Sequence, residues 1–177
     1  QIHMPLQAGN DRILKKMNRS YTKNEFLGLV DEVREFMPNV SLSTDIILGF
    51  PTETDHEYMD TVDVVKAVEF DSAFIFKYSE RPNTRAAQKF PDDISEEDKK
   101  VRIIHLNDIQ NEISQRKNMS LIGTNQQILI ESLKTKRSDN EIQGRTDCNR
   151  IVICEKGDES LGQLKNVKIT AATRNVL

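Results

Sequence analysis

Two hydrophobic periods run along this chain, and the switch between them falls at Gly123. Before it, apolar positions mostly recur with helical spacing, interrupted by short apolar runs. Asp11 to Met17 has the spacing of a short helix capped by Asn10 or Asp11. Thr22 opens a longer helix, and Glu25 three residues on completes a capping box. Phe26, Leu29 or Val30, Val33, and Phe36 or Met37 share one face, and Pro38 stops the helix. Val40 to Phe50 reads as a buried strand that ends in a Gly-Pro turn. Thr54 and Glu57 form a second capping box, whose helix lines one side with Met59, Val62, Val65 and Val68. Asp71 to Tyr78 is a further strand, and strand–helix–strand with short joints predicts a right-handed parallel βαβ unit. A loop at Glu80–Thr84 and a charged stretch around Pro91 to Ser95 lead to a helix from Glu96 to about Lys117. Its stripe is Ile103, Leu106, Ile109 and Ile113, which turns His105 outward.

After Gly123 the period falls to two. Gln127–Glu131, Arg150–Cys154 and Asn166–Thr170 read as strands, with turns at Ser138–Asn140, Lys156–Asp158 and Gly162. Four or five strands in so short a stretch predict a small antiparallel barrel. The expected organisation is therefore an α/β domain over residues 1–118 and a β domain over 119–177.

The 177 residues carry a net charge of -3, which by itself does not suggest a nucleic-acid binder. The total hides an asymmetry: from Asn118 onward there are 9 Lys and Arg against 7 Asp and Glu, and before it 16 against 21. Cys148 and Cys154 are too few for a disulfide framework and lack metal-ligand spacing, so both are expected to pack as small residues in a reducing compartment. With no apolar run near 20 residues and no signal-peptide pattern, a soluble, cytoplasmic protein without membrane contact is expected. The opening Gln-Ile-His-Met-Pro, without an initiator methionine, suggests a start inside a longer polypeptide.

The densest chemistry lies in Ser43–Thr54. Asp45 is a carboxylate near the start of an apolar strand, where burial is costly unless something pairs with it. Two readings fit: a buried cap for nearby backbone amides, or an acceptor for ligand hydroxyls beyond the carboxyl end of a parallel strand.

Four blocks, in order, carry a family resemblance: His3–Arg12 with Met17–Thr22, Thr44–Thr54, Phe76–Thr84, and Gly144–Val152. Together they resemble the radical S-adenosylmethionine methylthiotransferases, and the last block resembles the TRAM domain that ends them. The similarity is greatest to the MiaB-type branch, which adds a methylthio group to carbon 2 of N6-isopentenyladenosine at position 37 of tRNA. The Phe76–Pro82 run favours it over the branch that modifies a ribosomal-protein aspartate. An enzyme acting on threonylcarbamoyladenosine in tRNA would share these blocks, and a non-enzymatic RNA-binding module would share the last of them.

The resemblance implies the C-terminal half of a radical SAM partial (β/α) barrel followed by an OB-like TRAM barrel. It implies S-adenosylmethionine as cofactor and two 4Fe–4S clusters in the parent enzyme, whose cysteine ligands this chain lacks. No catalytic residue and no metal ligand is therefore expected on it, and the chain alone is expected to be inert. By the same resemblance Gln7 and Asp45 would bond the ribose hydroxyls and Arg19 the methionine carboxylate, while the backbone at Gly49 and Phe50 would lie against the adenine. Taken alone, Gln7 is equally a turn amide and Arg19 a helix-end cation. Two positions depart from the family: Ala8 stands for a serine and Asn83 for a glycine, a position where asparagine tolerates positive φ. Tyr78, Ser79 and Arg81 follow a strand end and are candidates to face substrate; Arg81 is equally a solvated loop cation.

The expected partner is the tRNA anticodon stem-loop, met by a monomer. Its phosphates would be contacted by Arg81 and by Lys134, Lys136, Arg137, Arg145, Arg150 and Lys168 of the TRAM-like part. Without the resemblance those cations are simply a solvated surface. No Phe, Tyr or Trp follows Phe90, so recognition there should rest on backbone and shape rather than base stacking.

Overall fold

The computed structural model describes residues 1–177, which divide into two compact units: Ile2–Gln110, and Asn111–Leu177 with Gln1. The division falls inside a helix rather than at its end, because Asn118 near that end already bonds the Thr173 and Arg174 carbonyls of the second unit.

The first unit is a three-stranded parallel sheet, order β1 (Ile2–His3), β2 (Leu42–Leu48), β3 (Ser72–Lys77). The strand expected over Val40–Phe50 is shorter at both ends. Its carboxyl end is cut by Gly49, whose φ of 69° turns the chain away. Helix α1 (Asp11–Lys16) is capped by Asn10. Both expected capping boxes are present, at α2 (Lys23–Phe36) and α3 (Asp55–Val68). Two apolar stripes need correction. On α2 the buried residues are Phe26 and Val30, while Leu29, Phe36 and Met37 are exposed. On α3 Met59 is exposed and Tyr58, Thr61, Val62, Val65 and Val68 face inward. On α2 the stripe starts at Phe26 as expected, takes Val30 rather than Leu29 and ends before Phe36, whereas on α3 it starts at Tyr58 rather than Met59, choices only packing can make. A short helix α4 (Arg85–Lys89), capped by Thr84, lies between the expected loop and the charged stretch, where the sequence reading placed no element. Helix α5 (Glu96–Met119) follows; His105 is exposed, as expected.

The second unit is an antiparallel sheet, order β6 (Ile151–Glu155), β5 (Glu141–Thr146), β4 (Asn125–Ser132), β7 (Leu164–Lys168). The chain leaving β7 returns to the far edge, where Val176 bridges Ile151 and Leu177 exchanges backbone bonds with β6. That return curls the sheet toward a barrel around Ile128, Val152, Ile169 and Leu177. No helix is long and apolar enough to cross a membrane.

Candidate functional site

Alternation along β2 sorts its side chains. Leu42, Thr44, Ile46 and Leu48 share one face and are all buried, while Ser43, Asp45 and Ile47 share the other. Register aligns His3 with Ser43, Phe74 with Asp45 and Phe76 with Ile47, so this second face reads His3, Ser43, Asp45, Ile47, Phe74, Phe76. Phe74 and Phe76 are 57% and 53% exposed, which leaves an aromatic sheet face open.

Asp45 is neither fully buried nor free. One carboxylate oxygen lies 3.3 Å from His3 Nε2, and the other has no partner in the chain. His3 Nδ1 lies 3.0 Å from Ser43 Oγ, which fixes the ring between the two. Sequence reasoning did not single out His3 as a site residue; its only signal is position, one strand over from Ser43.

Gln7 reaches the same place by a different route. With φ of 64° it bends out of the β1 extension, donates its N–H to the Asp45 carbonyl at 2.8 Å and accepts from Ile47 N at 2.9 Å. Its side-chain oxygen accepts from Arg19 Nη2 at 2.9 Å, and the rest of the exposed Arg19 guanidinium is unengaged. Gln7, far from both in sequence, thus joins Arg19 through its side chain and Asp45 through its backbone, while the Asp45 carboxylate itself is held by His3.

Gly49 and Phe50 behave otherwise. The side of Gly49 left open by its missing Cβ is filled by the Lys99 aliphatic stem, so that opening does not serve a ligand. The Phe50 ring is buried against Tyr78 and Phe90, at 5.1 and 6.1 Å between centroids. Within the turn the Gly49 amide bonds Glu53 and the Phe50 carbonyl accepts from Glu53 N, which leaves the Gly49 carbonyl and the Phe50 amide for anything else. Ala8 is fully buried in the same apolar cluster. A serine hydroxyl there would need a new partner, so the departure suits the packing. Asn83 takes φ of 66°, the conformation a glycine would supply.

Two cations of α5 brace this turn, and periodicity did not reveal them because they lie on the helix's inward side. Lys99 is almost fully buried, its amine between Asp92 and Glu96. Arg102 bonds Glu53 and Asp55, each at 2.8 Å. Burial pushes the Glu53 carboxyl up, and one of its oxygens has no partner.

The proposed RNA cations fall into two groups. Lys134, Lys136 and Arg137 stand exposed and unpaired on the single loop between β4 and β5. Lys168 is exposed on the edge strand β7, and Arg81 on the loop after β3. Arg145, in contrast, bonds Glu131 at 2.9 Å and Asn149, while Arg150 donates to Asn118 Oδ1 at 2.9 Å. Cys148 and Cys154 are half-buried, with burial raising both thiols.

Residues 1–65 match the Radical SAM superfamily, and residues 120–177 match the TRAM domain. The chain is 41% identical over 176 residues, 99% of its length, to the tRNA-2-methylthio-N(6)-dimethylallyladenosine synthase of Christiangramia forsetii. It is 44% identical over 171 residues to the enzyme of the same name from Syntrophomonas wolfei and over 172 residues to that from Clostridium botulinum. The chain spans only 36% of the first relative and 38% of the other two. Among solved structures it is similar to coproporphyrinogen III oxidase of Escherichia coli, a radical SAM enzyme. The TM-score is 0.52 at 25% identity, over 64% of this chain and 26% of that one.

Proposed function

We propose that these 177 residues supply part of an S-adenosylmethionine cradle and the RNA-docking domain of a tRNA-2-methylthio-N6-dimethylallyladenosine synthase, working in the cytoplasm on the anticodon stem-loop. The observation that carries this reading is the run of contacts from Arg19 to the Gln7 side chain and from the Gln7 backbone to Asp45 of β2, in a chain so similar to relatives of that name.

The donor set fits the cofactor. An ionised carboxylate only accepts hydrogen bonds, so the unpartnered Asp45 oxygen suits a ribose hydroxyl, while His3 holds the other oxygen. The Gln7 amide nitrogen offers donors to the same sugar. Arg19 keeps N–H groups beyond the one spent on Gln7, and a guanidinium fork matches a carboxylate such as that of the methionine moiety. The Gly49 carbonyl and Phe50 amide together present one acceptor and one donor, the pattern an adenine edge complements. When bound, S-adenosylmethionine supplies radical chemistry at the target base; the residues of this chain orient its sugar and carboxylate.

Iron–sulfur clusters do not fit these residues. No group of three or more His, Cys, Asp or Glu is placed to hold a metal, and both cysteines lie in the TRAM part. We derive no step through a cluster and expect no turnover from this chain alone. Anaerobic reconstitution with iron and sulfide should give no stoichiometric 4Fe–4S absorption, and such a band would overturn that expectation. Filter binding of an anticodon stem-loop across a salt series tests the RNA role. Affinity should fall as salt rises; absence of salt-dependent binding would remove the RNA role.

A further inference from the structure

Ser43, His3 and Asp45 form a relay on the open face of the parallel sheet. Register puts His3 of β1 opposite Ser43 of β2, and Asp45 comes next along the same strand face. His3 Nδ1 lies 3.0 Å from Ser43 Oγ, and its Nε2 lies 3.3 Å from Asp45 Oδ2. The residue types are those of a nucleophilic triad, but the arrangement is not one. Ser43 is only 2% exposed, so no substrate carbonyl can reach its hydroxyl. The serine and the carboxylate also stand at the opposite ring nitrogens from those a triad uses.

What the relay can do is set a tautomer. A neutral imidazole has one N–H donor and one acceptor nitrogen. The Ser43 hydroxyl can donate to Nδ1, which leaves the ring proton on Nε2, the nitrogen that faces Asp45. The reverse tautomer would aim lone pairs of Nε2 and the carboxylate at each other. Phe74 confines the ring further, edge-on at 6.3 Å between centroids. Phe74 is also the β3 residue in register with Asp45, and its side chain offers the carboxylate no hydrogen-bond donor. His3 is therefore the side chain that fixes the rotation of the Asp45 carboxylate, with one oxygen toward the ring and the other open. A contact of 3.3 Å is long, and hydrogen bonds of this kind tighten when a bound ligand completes the set.

We propose that His3 and Ser43 are positioning residues for the sugar of the cofactor, and that His3, acting through Asp45, makes the site discriminate ribose from deoxyribose. The inference rests on the cradle reading above and deepens it: that reading gives Asp45 an open oxygen, and this one names what aims it. A carboxylate free to rotate loses that freedom when it accepts from a hydroxyl. One already oriented does not, so its hydrogen bond contributes more to binding. A site built around a hydroxyl also leaves its own polar group unpaired when the hydroxyl is missing, and so rejects the analogue that lacks it.

Isothermal titration calorimetry of the 177-residue chain with S-adenosylhomocysteine and its 2′-deoxy and 3′-deoxy forms reads the sugar directly. The unaltered chain should bind the parent at least about tenfold more tightly than one of the deoxy forms. His3→Ala should weaken the parent alone and bring that ratio close to one. Ser43→Ala should lower the ratio, and His3→Gln, whose amide nitrogen replaces Nε2 as donor, should keep most of it. Circular dichroism confirms which variants fold. An unchanged ratio in whichever of His3→Ala and Ser43→Ala folds would overturn the inference while the cradle reading stands. So would equal weakening of every ligand in them, because a purely structural role does not distinguish a hydroxyl. Complete loss of the ratio in folded His3→Gln would assign the effect to ring packing and overturn it too. Equal binding of parent and deoxy forms by the unaltered chain would remove the sugar role of Asp45 and this inference with it. Failure of every form to bind would remove the cradle reading as a whole.

Discussion

Thr52 adopts φ of 70°, a left-handed conformation that β-branched residues rarely accept. Its neighbours hold it there: Arg12 bonds its carbonyl at 2.6 Å and its hydroxyl at 3.1 Å, Lys16 bonds the hydroxyl at 2.6 Å, and Asp93 accepts its N–H at 2.7 Å. Thr52→Gly and Thr52→Val both lose the hydroxyl, but only glycine sheds the Cβ clash. That relief of about 1–2 kcal/mol outweighs the roughly 0.5–1 kcal/mol of unfolded-chain entropy that glycine adds. Urea unfolding should therefore find the glycine variant more stable than the valine variant by about 1 kcal/mol; the reverse order would mean the turn is unstrained. Nothing in the sequence marks Thr52, because residues up to 41 positions away impose its conformation. Asp45 differs. Its oddity was legible as a polar residue in an apolar strand, but it caps no backbone amide: the His3 side chain takes one oxygen and the other is open.

Helix starts were the most legible elements, because a capping box is written in four consecutive residues. The second box has a further role. Glu57 caps α3 and also receives Arg12 of α1 at 2.6 Å, so one buried carboxylate ties two helices. The Arg12 hydrogen bond, against the opposing effect of burial and with help from the Thr54 cap, pulls its carboxyl from 4.5 down to about 2. A depressed carboxylate adds stability that is complete above its unfolded value and is lost as pH falls through the folded one. Glu57 should thus contribute roughly 1–3 kcal/mol at neutral pH, discounted because Arg12 is partly in solvent, and lose it between pH 4.5 and about 2. Arg12→Ala should bring the Glu57 carboxyl back toward its ordinary range in a ¹³C NMR titration and flatten that acid limb. An unchanged titration would show that the cap alone sets it. The partly misread stripes of α2 and α3 are the counterpart. Periodicity gives a face, but Leu29 beside Val30, or Met59 beside Tyr58, is chosen by what the helix packs against.

Across the whole molecule, charge is divided by use rather than by count. The net excess of cations after Asn118 is small, yet Lys134, Lys136 and Arg137 are gathered on one loop without ion pairs, whereas Arg145 and Arg150 are spent on internal bonds. Replacing the three loop cations by alanine should lower the salt slope of stem-loop binding by about 2, at roughly 0.7 per phosphate contact on single-stranded RNA. Alanine at Arg145 should change it by less than one loop cation does. If Arg145 moved the slope more than Lys136, the loop would not be the docking element.

Local order settled much from sequence alone: most of the helices and strands, though not β1, α4 or β5, both capping boxes, the change from a parallel α/β part to an antiparallel β part, and the ordered motif blocks that carry the resemblance. Each of these is encoded within a few neighbouring residues, where periodicity and turn chemistry act. Only the tertiary structure decided that Arg19 meets Gln7, that His3 shares Asp45, that Lys99 fills the space beside Gly49, and which cations stand free. Most of those pairings join side chains brought together by sheet register and helix packing, and no local pattern states which partner a long polar side chain will find.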